Sequence, residues 1–282
     1  MNAKSRAFYS LSAMLLLAGC GAVMERRISH VDRRWPATTI RHIEVREIDG
    51  AINIEAGSDS EITMDATVRS RLAPKHEKEN LGYFTTEING DTLTIGRRDQ
   101  HRRFVFFRFG NDTRVDYELR VPASIALDLH TINGRIATRG VDGEMKAVTV
   151  NGRVNIETPG SNEVEAHTVN GRIEAHFEKS FQGATLKTVN GGVTAVLPLS
   201  ASFSGDFSQV NGDIEAAFPL NIHSHPGSRR VSGEVNGGRY ELRITTVNGD
   251  IKIDTAMPPA PPAPPAAPAA PAAPAPPAAP IT

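Results

Sequence analysis

Three groups of residues in this chain of 282 carry side chains suited to chemistry or recognition. The first is basic: Arg97, Arg98, His101, Arg102, Arg103 and Arg108 surround Phe104-Val105-Phe106-Phe107. Charge beside an apolar wedge can meet anionic lipid headgroups or acidic glycans. A solvated hairpin with a buried Val/Phe face would carry the same pattern. The second group is His223 and His225, which would point the same way on a strand and could share a metal. No third ligand stands near them, so they read as a polar loop, and no metal or cofactor is expected. The third is Arg135, Arg153 and Arg172, each one residue past an Asn-Gly. Stacked, they would form a basic stripe for a polyanion, giving way to Gly192, Asp213 and Asp250. Like charges at strand spacing repel mildly, and a solvated face accounts for the stripe too.

Other chemistry finds little support. No Gly-x-Ser-x-Gly elbow, phosphate loop, His-Glu-x-x-His or calcium-binding glycine repeat occurs. Carboxylates such as Glu157, Glu165, Glu174 and Glu178 are scattered over outward positions, whereas a polysaccharide-cleaving β-helix gathers its acids on one face. A formal net charge of −1 and 6% aromatic residues argue against nucleic acid, which asks for a basic field and stacking platforms.

Cys20 is the only cysteine, so an internal disulfide and a multi-cysteine metal site are both excluded. It follows Lys4 and Arg6, an apolar run at 8–17 too short to span a bilayer, and Leu17-Ala18-Gly19. This resembles the bacterial lipobox. The resemblance implies that 1–19 is a signal peptide and that Cys20 is S-diacylglycerylated, becomes the mature N-terminus and is acylated. Several acyl chains together hold a protein on a membrane stably. Gly21 at the second mature position, rather than Asp, leans towards the outer membrane by the bacterial sorting pattern.

The element that must position these residues is a phrase that keeps returning. Thr-Ile-Asn-Gly-Arg-Ile at 131–136 comes back as Thr-Val-Asn-Gly-x-Ile/Val at 149–154, 168–173, 188–193 and 246–251, and as Gln-Val-Asn-Gly-Asp-Ile at 209–214. Its corner residues are Asn133-Gly134, Asn151-Gly152, Asn170-Gly171, Asn190-Gly191, Asn211-Gly212 and Asn248-Gly249. A fixed period of about 18–21 residues marks a repeat architecture. The last interval is about two periods long. Apolar and Thr positions alternate with polar ones on both sides of each Asn-Gly, so each period is two half-buried strands and two corners. Asn and Gly tolerate the positive φ of a sharp reversal.

Two all-β architectures fit. In one, Asn-Gly closes hairpins in an antiparallel β-meander. In the other, each period is one coil of an elongated, β-helix-like β-solenoid. Recurrence of the same residue types at the same phase favours the solenoid, because stacking produces ladders and a meander has no need of identical turns.

Along the chain, 20–37 reads as a tether and 38–256 as one repetitive β domain, with a degenerate first part at 38–120 and the regular repeats at 121–256. Residues 75–81 are the one candidate short helix. From Met257 the sequence is almost wholly Pro and Ala, which favours extended polyproline II and makes 257–282 a spacer or disordered tail.

The lipobox, the Thr-Val-Asn-Gly-x-Ile repeats and the lead-in Val121-Pro122-Ala123 together resemble the DUF4097 family of β-rich bacterial envelope proteins, which carry the label of adhesins. The resemblance covers about 40–253. It implies an exported, solenoid-like domain in the cell envelope and brings no catalytic residues. The expected function is non-enzymatic: a lipid-anchored rod offering a long surface to proteins or glycans. The alternatives are a polysaccharide-acting β-helix enzyme and a structural spacer whose tail meets the cell wall.

Overall fold

The computed structural model describes residues 27–70, 84–97, 113–218 and 230–256. Every helix-or-strand element among them is a strand, twenty in all, in two ten-stranded sheets. The first seven are β1 (Arg27–Pro36), β2 (His42–Arg46), β3 (Ile52–Ala56), β4 (Glu61–Ser70), β5 (Phe84–Asn89), β6 (Thr92–Arg97) and β7 (Thr113–Val121). The repeats follow as β8 (Ala126–Asn133), β9 (Ile136–Arg139), β10 (Met145–Asn151), β11 (Val154–Thr158), β12 (Val164–His167), β13 (Ile173–Phe177), β14 (Ala184–Lys187) and β15 (Val193–Leu197). The chain ends in β16 (Phe203–Ser208), β17 (Ile214–Ala216), β18 (Arg230–Val235), β19 (Tyr240–Thr245) and β20 (Ile251–Thr255).

In each repeat the strand before Asn-Gly lies in one sheet and the strand after it in the other. Successive repeats pair in parallel with residues of equal rank opposite each other. Thr149 faces Thr131, Val154 faces Ile136 and Ala166 faces Ala147. Asn-Gly therefore turns the chain from sheet to sheet, and the solenoid holds over the meander. One Asn-Gly does close a hairpin: Asn89-Gly90 joins antiparallel β5 and β6, with Gly90 at φ 64°.

The core is the thin space between the sheets. Leu129, Ala147, Ala166, Leu186 and Ile244 fill it from one side, and Ile136, Val154, Ile173, Val193 and Ile251 from the other, all buried. Each fully buried Val, Ile or Leu stabilises by about 1.5–3 kcal/mol, so the coils cohere through many small, similar contributions. At the far corner, Phe177, Phe181, Phe203 and Phe218 form an edge-to-face series with centroids 5.1, 5.9 and 5.5 Å apart.

Coil order in space departs from coil order in sequence at both ends. β19 lies between β14 and β16, and β20 between β15 and β17, so the last coil is the penultimate one in the stack. At the other end β2 and β3 sit inside β6 and β7. The long interval from Asn211 to Asn248 is therefore no double coil. It contains β18, which pairs antiparallel with β16 and extends that sheet past the last coil. The β1/β4 pair does the same for the other sheet, antiparallel to β7. Such reversed strands end the repeat stack.

The tether reading of 20–37 needs correction. Val31 and Trp35 of β1 pack against the core, and ten residues of β1 pair with β4, so the rod begins by Arg27. Residues 1–26, the candidate helix at 75–81 and the tail at 257–282 lie outside the described residues.

Candidate functional site: the Asn-Gly corner

The corner begins with its glycines. A Cβ on Gly134 would stand 1.7 Å from the carbonyl oxygen of Gly50; on Gly152, 1.8 Å from that of Gly134; on Gly171, 1.7 Å from that of Gly152. The neighbouring coil occupies the space a side chain needs. Positive φ, the reason expected from sequence, applies only to Gly191, Gly212 and Gly249 among the six repeat glycines. Close approach of stacked backbones is the constraint shared by all six.

Two residues before each Asn, the buried threonine turns inward and donates its hydroxyl to the glycine carbonyl of the adjacent coil. Thr131 reaches Gly50, Thr149 Gly134, Thr168 Gly152, Thr188 Gly171 and Thr246 Gly191, at 3.0–3.3 Å. Gln209 breaks the series. It donates to Gly212 of its own coil, and its Oε1 is buried without a partner. In the first coil Glu47 holds this rank, buried, with Oε2 accepting from Tyr117 Oη at 3.0 Å.

The asparagines form a one-way ladder on the outside. Nδ2 of Asn133 donates to Asp49, and Asn151, Asn170, Asn190, Asn248 and Asn211 each donate to the Oδ1 before them, at 2.8–2.9 Å. This is the structural role that stacking predicts for them.

Just before each Asn, and before Asp49 in the first coil, stands an apolar residue that the alternation turns outward. Ile48, Ile132, Val150, Val169, Val189, Val247 and Val210 are 36–56% exposed and make a stripe along the corner. The signal lies in the sequence, a β-branched residue at every such rank, but alternation alone gives that residue no role.

On the other side of the ladder the predicted arginine stripe is present. Arg135, Arg153 and Arg172 are exposed and stacked, followed by Gly192, Asp250 and Asp213 in that spatial order. Arg135 Nη2 donates to Asn53 at 3.3 Å and Arg172 Nη1 lies 3.7 Å from Glu174, while Arg153 makes no such contact among the described residues. The structure thus brings Arg135, Arg153 and Arg172 together with the six Asn-Gly corners. Arg97 ends β6. Cys20, Arg98, His101, Arg102, Arg103, Arg108, His223 and His225 lie outside the described residues.

The outward carboxylates sit beside bases. Glu157 accepts from Arg139 at 2.8 Å, holding that guanidinium above its ordinary pKa. Glu165 lies 3.3 Å from Lys146 Nζ and 3.2 Å from His167 Nε2. Asp206 is drawn below the usual carboxylate range by its hydrogen bonds from Arg230. Among the described residues no three His, Cys, Asp or Glu side chains are grouped to hold a metal ion.

No curated protein matches this chain in sequence. Among solved structures, a candidate cell-adhesion protein from Clostridium sporogenes matches with a TM-score of 0.47 and 12% identity, over 82% of this chain and 100% of its own. A candidate adhesin from Bacteroides fragilis matches at 0.40 and 11%, over 80% and 97%. A candidate lipid-binding protein from Parabacteroides distasonis matches at 0.34 and 10%, over 81% and 97%. The family described as Toastrack DUF4097 matches residues 125–254, the segment whose stacked corners are described above.

Proposed function

We propose that the protein is a non-enzymatic lipoprotein of the bacterial envelope, held to a membrane through Cys20 and offering the side of a β-rod to protein or glycan partners. The observation that carries this is the corner itself. An exposed apolar stripe, a file of amides and a file of charged residues run in parallel along the coils. Every coil adds a similar strip, so the surface suits an extended partner better than a small substrate. The outward acids sit beside bases in place of converging on a groove, which favours binding over glycoside cleavage.

Fatty-acid labelling of the wild type against Cys20→Ala tests the anchor: label is expected on the wild type alone. Protease shaving of sealed cells then reports the face, with loss of the rod expected if it faces outward. Unlabelled wild type overturns anchorage, and a rod that survives shaving removes the adhesive role at the cell surface.

A further inference from the structure

We propose that the Asn-Gly corner is a homophilic interface, through which two copies of this chain pair antiparallel. The argument rests on the order of residues along the stack. Running away from the β1 end, the apolar stripe reads Ile132, Val150, Val169, Val189, Val247, Val210, each at least 36% exposed. Beside it the charged file reads Arg135, Arg153, Arg172, Gly192, Asp250, Asp213. The second half of each file answers the first. Take a two-fold axis that crosses the corner between the Asn170 and Asn190 coils, perpendicular to the rod. It keeps each file over its own counterpart and reverses its direction.

Arg135 then meets Asp213 of the other copy, Arg153 meets Asp250, and Arg172 meets the small Gly192. The apolar residues pair as Ile132 with Val210, Val150 with Val247 and Val169 with Val189. This is the self-complementarity an isologous contact requires. Parallel pairing, about an axis along the rod, would exchange the two sides of the corner and lay the charged file over the apolar stripe, leaving Arg135, Arg153 and Arg172 without opposite charges.

Six coils at about 4.8 Å spacing give a strip about 24 Å long. With a width of roughly 15 Å it covers about 360 Å² per copy, under half of a standard interface. The pair is therefore weak and reversible in solution, and grows strong only where many copies face one another. The described chain begins at the β1 end of the stack, so antiparallel partners start from opposite ends. If the chain is anchored as proposed above, on which this consequence rests, the contact joins copies on two facing membranes.

The test uses the full chain with Cys20→Ser, so that added cysteines are the only thiols. Chains carrying Val169→Cys and Val189→Cys are mixed under mild oxidation. The mixed disulfide is expected to exceed either self-disulfide several-fold. Sedimentation velocity then follows two charge variants, Arg135→Glu/Arg153→Glu and Asp213→Arg/Asp250→Arg. Each alone should lose self-association, and the two mixed should regain it, since every reversed charge then meets its opposite. Wild type that stays monomeric at all concentrations, a predominant Val169–Val169 disulfide, or charge variants that associate like wild type would each overturn the proposal. With Cys20 retained and used to couple the chain to vesicles, vesicles bearing the otherwise wild-type chain should cluster, and vesicles bearing either pair of charge substitutions alone should not. Dimers in solution without clustering would remove the bridging of membranes and leave the interface standing. Loss of fatty-acid labelling would remove only the anchor.

Discussion

Asn133 donates from Nδ2 to Oδ1 of Asp49 at 2.8 Å, and the five amides stacked beyond it donate in the same direction. The ladder ends on a carboxylate, a group that only accepts when ionised. An acid is tolerated there because nothing further along needs its proton. In the middle it is not. Asn151→Asp keeps the bond from Asn170 but sets two acceptors face to face at Asn133. A loss of about 1–2 kcal/mol at neutral pH is expected. Acidification below the carboxyl pKa should recover part of it relative to wild type, since the protonated acid can donate again. Urea midpoints of both proteins at the two pH values check this.

The glycines separate two kinds of constraint. Gly152→Ala would put a methyl carbon 1.8 Å from the Gly134 carbonyl oxygen, and the coils would have to part. A loss above about 4 kcal/mol, or failure to fold, is expected. Gly90→Ala meets nothing within 4 Å and suffers only from φ 64°, costing about 1–2 kcal/mol. Thermal denaturation of the pair should rank them in that order by a wide margin.

Gln209 is the one repeat residue at the threonine rank that does not reach the next coil, and its buried Oε1 lacks a partner. Gln209→Thr restores the hydroxyl that could donate to the Gly249 carbonyl and removes the orphaned acceptor. A gain of about 1 kcal/mol is expected, read as a raised denaturation midpoint with unchanged slope.

His167 sits on the outer face between Val148 and Lys187 of the flanking strands, with Glu165 beside it and Lys146 diagonal to it. Burial pushes its pKa below the ordinary histidine value, Glu165 opposes this, and Lys187 and Lys146 add to it. The unfolded chain therefore binds the proton more readily than the folded one. Stability from this residue is complete above about pH 6.5 and falls as pH drops through that value towards the folded pKa. His167→Gln should flatten the stability profile over that window while changing little at pH 8.

The repeats make the stack legible because their period, alternation and recurring Thr-Val-Asn-Gly all follow from stacking. The arginine file can be read for the same reason: Arg135, Arg153 and Arg172 hold one rank. Three features cannot be read this way. β1 resembles a tether because two-residue alternation is faint where Asp32, Arg33 and Arg34 crowd the strand, and only its partner β4 shows why it is one. The exposed stripe is hidden because alternation turns its β-branched residues outward but does not show that they line up along one corner, which only the stacking reveals. The coil order is hidden because equal ranks say which residues can stack, not which coil lies on which.

That order has a consequence for assembly. The edge of β14 and β15 is the seat of β19 and β20, yet β16 and β17 come earlier in the chain, carrying a similar Gln-Val-Asn-Gly-Asp-Ile. An early arrival can take the wrong seat. Without the final segment β14 and β15 would lack the neighbours they pair with on that edge, so β19 and β20 act as the keystone that joins both flanking coils at once.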